Sequence, residues 1–445
     1  MDFQTFKQAV IAHCARKGIE EYELYYQTAE STSVSVFQHS VNEFTGSIEG
    51  GVCFRCIVGG RMGYASTEAL NEEQAASIVD RAADNAATLE ADEPVFLAEG
   101  GLSYAPVTAE PYALPDTESL IAKVLDTQEK LYAADPAVTD GTETQGICER
   151  SETFIYNSKG LDLHSRNTLS GLVVGSVVTD GKEMANSYEV KLGELTSIDT
   201  DALAAKAAAE AKQKLGGEVA PTGQYPVVFA PSAMCSLLGV FSAIFSGENA
   251  QKGLSKLGGK EGEQIAAPTV TLVDDPFFPG STRQRSFDAE GMPTFTKNVI
   301  EGGIFKTLLH NMKTANLAGC RTTGNASKAG YDAPVAVRPF TMYLVPGERS
   351  EEEMIAPIGK GVYITSLGGL HAGANPITGD FSLQSSGFMI EDGKKTTFVK
   401  SFTVAGNFYG LLKYITDIAS NLETPGMGAF GSPTVRVDGL SIAGK

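Results

Sequence analysis

Residues 225–247 read YPVVFAPSAMCSLLGVFSAIFSG, and no charged residue occurs from Val219 to Gly247. A run of this kind is a membrane span, a buried strand or a buried helix, and Pro231 decides between them. Proline suits the first turn of a helix, so Tyr225–Ala230 reads as a buried strand and the residues after Pro231 as a helix. That helix, about 15 residues or roughly 22 Å long, falls short of the roughly 30 Å hydrocarbon core of a bilayer. It is apolar on all sides, as helices enclosed by other protein are. A strand running straight into an enclosed helix marks the centre of a large core, with no membrane association.

Upstream, Pro221 and Gly223 interrupt the pattern and place a boundary between an N-terminal domain, 1–218, and a C-terminal domain, 225–445. The first half predicts a helix over Phe3–Lys17 and β-rich sequence from Tyr22 to Tyr64, where Val34 and Val36 alternate with Ser33 and Ser35. Helices follow from Asn71 to Leu89, with Glu72 and Glu73 in the first turn, and from Thr117 to Asp135. Strands return between Thr139 and Leu192, and a helix over Thr200–Leu215 stops at Gly216-Gly217. Downstream of the quoted run, a Gly/Lys-rich loop, 247–262, precedes strands at 269–273, 294–300, 304–310, 335–345, 361–366, 381–391 and 400–405. A helix over Phe408–Leu422 and a closing strand at Thr434–Val437 complete the pattern. The class is α+β: a mixed N-terminal domain, then a β-rich domain with few helices.

Composition narrows the function. The chain of 445 residues carries 35 Lys+Arg against 54 Asp+Glu, a formal charge of −19. Such a charge repels phosphate backbones, and no basic block reverses it locally; direct nucleic-acid binding is not expected. Six dispersed cysteines cannot frame a disulfide scaffold in so long a chain. The charged, amphipathic start around Phe3 and Phe6 lacks the apolar stretch of a signal peptide, and the expected location is the cytoplasm.

Chemical motifs are sparse. Cys53-Phe54-Arg55-Cys56 lies in a strand-like run, which puts its two thiols on opposite faces. Gly253–Lys260 resembles a phosphate loop but has Gly259 where the lysine should stand, and reads as a surface loop that could act as a lid. The five histidines, His13, His39, His164, His310 and His371, never stand at i, i+4. A metal centre assembled from His310, Cys320 and His371 with Asp274, Asp275 or Asp380 has no support from spacing. Asp274-Asp275, Asp288 and Glu290 read as residues that end strands and shape turns.

The second half carries, in order, YPVVF (225–229), GGKEGEQIAAPTVTLVDD (258–275), FDAEG (287–291), GGIFK (302–306), TGDFS (378–382), GFMIEDG (387–393), AGNF (405–408) and the closing stretch 432–445. This ordered set resembles the TldD/PmbA family, once called modulators of DNA gyrase, and most of all its PmbA (TldE) branch. The first half resembles it more loosely, through FTG (44–46) and on to Gly63.

The resemblance implies a two-domain protein. It also implies that the TldD branch bears a helical H-E-x-x-x-H zinc motif and cleaves unfolded or small peptides, while the PmbA branch pairs with it. In an ungapped register anchored on Gly247 the three motif positions fall on Leu238, Gly239 and Ala243, none able to hold zinc or act as a base. A cysteine that the TldD branch supplies before its last strand has no counterpart in 426–431. The expectation is therefore a chain without catalytic or metal-binding residues of its own, with zinc in a TldD-like partner. Ser246, Gly247, Asn249, His310, His371 and Asp380 are the candidates for lining a peptide cavity. The partners expected are an H-E-x-x-x-H subunit or a second copy of this chain, and a peptide. The alternative is a non-enzymatic dimer that binds peptides or modulates the DNA gyrase/toxin system through protein contacts.

Overall fold

The computed structural model describes residues 1–90, 94–426 and 428–444. In the first half, α1 (Phe3–Lys17) leads into the long strands β1 (Glu21–Phe37) and β2 (Ser40–Val58), then β3 (Arg61–Thr67) and α2 (Glu72–Thr88). After α3 (Thr117–Ala134) come β4 (Glu143–Asn157), β5 (Asp162–Thr179), β6 (Met184–Leu192) and α4 (Thr200–Gln213). The strands form one antiparallel sheet in the order β3-β2-β1-β4-β5-β6.

All four helices cover one face of this sheet. Phe6 and Val10 of α1 and Ile78 and Val79 of α2 pack on Leu24, Val52 and Phe54 at one end. Leu120 and Val124 of α3 and Ala204 and Ala208 of α4 pack on Val34, Val36 and Leu172 at the other. Period-2 alternation supplies both cores from single strands, since every second side chain of β1 points at the helices. The helix starts are capped as their sequences dictate: the Asp2, Asn71, Asp116 and Asp199 side chains each accept a backbone N–H of the first turn. Cys56 lies in the helix-side core and Cys53 among the residues on the opposite face, so the two thiols are held apart as the strand period requires.

The second half contains β7 (Glu218–Val219), β8 (Gly223–Phe229), α5 (Pro231–Phe241), α6 (Gly247–Gln251), β9 (Leu272–Asp275), β10 (Lys297–Glu301) and β11 (Ile304–Phe305). Then come α7 (Met312–Ala318), β12 (Ala326–Ser327), β13 (Ala336–Val337), β14 (Thr341–Leu344), α8 (Glu351–Ile355), β15 (Lys360–Gly368) and α9 (Leu370–Gly373). The chain closes with β16 (Asp380–Glu391), β17 (Lys394–Asn407), α10 (Phe408–Lys413), β18 (Ile415–Ile418), β19 (Phe430–Gly431) and β20 (Val435–Ala443). One sheet runs β18-β20-β8-β15-β16-β17-β7, with β20 also pairing to β17; a second runs β11-β10-β9-β14-β19. The α5 helix lies in the core they share, where Leu237, Leu238, Phe241, Ile244 and Phe245 meet Phe229, Leu272, Val299, Met342, Ile364 and Leu383. Among the described residues no helix is long and apolar enough to cross a membrane.

Several elements differ from the sequence expectation. The helix from Phe408 ends at Lys413, because the β-branched Ile415 and Ile418 that follow pair with Val437 and Val435 of β20. The strand expected over 335–345 breaks into β13 and β14 at Pro339, which has no N–H to give a ladder. Of 304–310 only Ile304–Phe305 forms a strand. The loop 247–262 begins as the short helix α6 and is tied down: Ser255 Oγ donates to Ile244 O, and Lys256 Nζ to Thr378 O at 2.7 Å. It is therefore no free lid.

Close approach makes Gly63 of β3 obligatory. A Cβ there would lie 1.9 Å from Ala82 O and 2.6 Å from Ala86 N of α2. Gly63→Ala is expected to lift α2 off the sheet and destabilise the fold by about 1–3 kcal/mol, read as a lower urea midpoint with an unchanged slope.

Candidate functional site

The helix that the resemblance singles out is positioned by β8, whose last residue leads through Ala230 into Pro231; Ala230 N donates to Ile364 O of β15 at 2.9 Å. Leu238 is completely buried. Gly239 faces outward, and a Cβ there would stand 3.7 Å from the Phe430 ring of β19. Ala243 is half-buried in the 3-10 turn Ser242–Phe245. The outer face of α5 is made of small residues whose hydroxyls are consumed by backbone: Ser232 Oγ donates to Thr365 O, Ser236 Oγ to Ser232 O, and Ser242 Oγ to Gly239 O. The motif helix and the 426–431 stretch are thus neighbours in space. Met427 of that stretch lies outside the described residues.

Four of the six cavity candidates meet at the start of α6. Ser246 caps the helix and Gly247 N donates to Leu309 O at 2.8 Å. Asn249 Nδ2 donates to Ala243 O at 2.9 Å, closing the turn after α5. The His310 ring lies so close to Gly247 that a Cβ there would be 2.3 Å from its Nδ1. His310 is 4 % and Ser246 6 % exposed, so both side chains brace this corner and neither faces an open cavity. His310 Nδ1 lies 3.1 Å from Thr314 Oγ1, and burial holds its pKa below the usual 6.5 against an opposing effect of Glu261.

The other two candidates lie apart at the surface, His371 in α9 and Asp380 at the start of β16, both exposed. Asp380 accepts a hydrogen bond from Asn407 Nδ2 at 2.8 Å, which lowers its pKa together with Thr378. No recorded contact joins either of them to His310.

Sequence reasoning missed a buried polar cluster in which Arg55 and Glu23 of the first half face Glu290 of the second. Arg55 Nε donates to Glu23 Oε1 at 2.8 Å, both side chains being buried. Asp288 accepts from the N–H groups of Glu290, Met292 and Ala326, and Glu290 from that of Met312. Burial and the neighbouring Glu290 push the Asp288 carboxyl up; burial likewise raises Glu290, opposed by Arg55. Asp288 and Glu290 do shape the turn at Gly291, as expected of them, but the turn is buried: a Cβ on Gly291 would be 2.5 Å from Leu161 of the first half. Asp274 is likewise an interior anchor rather than a strand end alone. It pairs with Lys297 at 3.1 Å and accepts from Asn325 Nδ2 and Phe340 N, both at 2.7 Å. The signal available in the sequence was FDAEG itself, two acids set among the apolar residues Phe287, Ala289 and Met292 just before and after a glycine.

Residues 22–86 match the model of PmbA/TldA metallopeptidase domain 1, residues 110–215 that of the central domain, and residues 222–444 that of the C-terminal domain. A Haemophilus influenzae protein named metalloprotease PmbA homolog is 25% identical over 459 residues, covering 99% of this chain and 97% of its own. A solved structure from Thermotoga maritima, described as a candidate modulator of a DNA gyrase, superposes with a TM-score of 0.91 at 28% identity, covering 99% of this chain and all of that one. TldE from Thermococcus kodakarensis, at 24% identity and a TM-score of 0.88 over 98% of this chain and 99% of its own, shares the fold.

Two outcomes follow from the His310 corner. Gly247→Ala is expected to displace the His310 ring and destabilise the fold by about 1–3 kcal/mol, measured by urea unfolding. His310 titrates in the folded protein below its ordinary 6.5, so the unfolded chain binds the proton first and stability drops as pH falls from about 6.5 toward the folded value. In NMR the His310 ring signals are expected to shift only below pH 6.5, and His310→Gln to lose this part of the acid-induced fall in urea midpoint.

Proposed function

The chain belongs to the PmbA/TldD metallopeptidase family, and from that premise we propose that it is the TldE-like, non-catalytic subunit of a peptidase pair, helping to enclose unfolded or small peptides that a TldD-like subunit cleaves. The observation that carries this reading is the state of α5. Peptide hydrolysis on zinc needs ligands and a base for the activated water. Leu238 is instead packed into the core, Gly239 has no side chain to present, and Ala243 offers a methyl group. The helix keeps its place beside β19 with the reactive groups removed.

Zinc belongs, on this reading, to the partner. The pairing is with a chain carrying H-E-x-x-x-H, and the outer face of α5 with the neighbouring strands β15 and β16 is the part of this chain that fronts the peptide. The second reading, modulation of DNA gyrase through protein contacts, rests on the description of the Thermotoga relative; with a charge of −19 it would proceed without DNA contact.

A fluorogenic unstructured peptide is the test. This chain alone is expected to leave it intact, while the mixture with an H-E-x-x-x-H partner cleaves it and loses activity on chelation. Gly239→Glu in this chain is expected to restore nothing, since ligands would still be lacking. Chelator-sensitive cleavage by the purified chain alone, or about one tightly held zinc per chain by elemental analysis, would overturn the assignment.

A further inference from the structure

Five acids and three cations meet where the two halves join: Glu23 of β1 and Arg55 of β2 face Glu290, Lys297 of β10 faces Asp274, Asp275 and Asp288, and Lys328 stands beside Glu23 and Arg55. All five acids are buried. Two of the cations are already taken, Arg55 by Glu23 at 2.8 Å and Lys297 by Asp274 at 3.1 Å. Among the described residues neither Asp288 nor Glu290 has a cation within ion-pair distance. The neutral groups around them are Tyr25 and Cys53, which face Glu23, Tyr64, which faces Arg55, and Tyr104, which faces Asp288. Fully ionised, the cluster would hold two more negative charges than positive ones. Charge of that kind in an interior costs free energy unless a proton removes it.

Hydrogen bonding decides which acid can take that proton. Asp288 Oδ1 accepts from the N–H groups of Glu290 and Met292, and Oδ2 from that of Ala326, so a proton on either oxygen would turn a donor toward a donor. Glu290 accepts one N–H, that of Met312, on Oε2. Its Oε1 has no N–H directed at it among the described residues and can carry hydrogen. Burial raises both carboxyls, that of Asp288 to about 7 with the Glu290 charge adding to the rise, and that of Glu290 against the pull of Arg55. Two acids on one buried turn titrate as a unit, and the donors around Asp288 put the unit's proton on Glu290.

The turn that carries these acids is the second half's foothold on the first. Tyr104 Oη donates to Gly291 O at 2.9 Å, a Cβ on Gly291 would meet Leu161, and Phe287 packs with Tyr25, Cys53, Ile155 and Leu161. Whatever charge Glu290 bears is therefore held inside the contact between the halves.

We propose that Glu290 works a proton-operated clasp between the halves: protonated, it lets the FDAEG turn close on Arg55 and Glu23, and ionised, it leaves a further negative charge in the contact and loosens the joint. The proton passes to solvent water as the joint opens. The folded joint holds this proton above the ordinary carboxylate range, so the folded state binds more protons than the unfolded one there, and its stability falls as pH rises toward about 7. One proton changes the opening constant by at most about tenfold per pH unit. The clasp is a property of this chain alone and does not rest on the peptidase reading.

Two measurements on the full chain test it. Infrared difference spectra between about pH 6 and about pH 8.5, a range in which exposed carboxylates are already ionised, are expected to show the carbonyl stretch of one protonated carboxyl that disappears at the higher pH. E290Q is expected to lack that band. Hydrogen exchange is expected to show the protection factors of the Met292 and Ala326 amides falling about tenfold or more across the same range in the wild-type chain, and staying within about twofold in E290Q. D288N is expected to be less stable at every pH, because its amide would meet one of the N–H donors that the carboxylate accepts. A wild-type chain without the band, a band that survives in E290Q, or protection that falls equally in the two chains overturns the clasp. A D288N chain as stable as the wild type overturns the placement of the proton. If E290Q does not fold, the wild-type band and the wild-type loss of protection decide alone.

Discussion

A helix that carries no charge and buries most of its surface has to be enclosed on several sides, and the second half of this chain is built around that requirement. Residues 231–245 hold no charge, and Leu237, Leu238, Phe241, Ile244 and Phe245 are all completely buried. One sheet cannot cover such a helix, because a sheet face meets only one side of a cylinder about 10 Å across. Two sheets do, one led by β8 and β15 and the other by β9, β10 and β14, and the short helices α6 and α10 close the ends. The closed arrangement of the larger sheet, with β20 paired to both β8 and β17, follows from the same need to wrap around a filled centre.

Legibility from sequence tracked the range of the interaction. The boundaries of α1, α2 and α3 were readable because caps and glycine stops are local: Asn71 accepts from Gln74 N three residues on, and Gly18 adopts the left-handed conformation a C-terminal cap requires. The end of α10 was not, because Ile415 joins a strand only by meeting Val437 across the fold. The short helix α8 had a local signal after all, since Ser350 and Glu353 form a capping box. What local pattern could not give is register. Glu23 and Arg55 form the buried pair of the seam because β1 and β2 pair with those two residues opposite one another, and nothing in either strand alone fixes that alignment.

The candidate site divides in the same way. The positions of the motif helix were legible by resemblance, and the structure adds that a side chain at Gly239 would meet the Phe430 ring. The cavity candidates were chosen by residue type, which says nothing about orientation: Ser246 and His310 are consumed by capping and packing at the start of α6, while His371 and Asp380 stay at the surface. The seam residues were passed over because an acid beside a glycine reads as a turn. A turn it is, but one whose Asp288 carboxylate collects three N–H donors in the interior.

That difference bears on where chemistry can reside in this chain. At α5 every polar atom of the outer face is already bonded to backbone, and the aromatic ring of Phe430 lies over the gap that Gly239 leaves. Leu238 is packed into the core and Ala243 is half-buried, and apolar side chains there need none of the partners that polar groups would have required. The seam shows the opposite balance. Glu23 Oε2 and Arg55 Nη2 are buried without hydrogen-bond partners, although the two side chains are paired with each other. Buried polar groups are satisfied almost everywhere in folded proteins, so of the two regions the joint between the halves is the less completely satisfied.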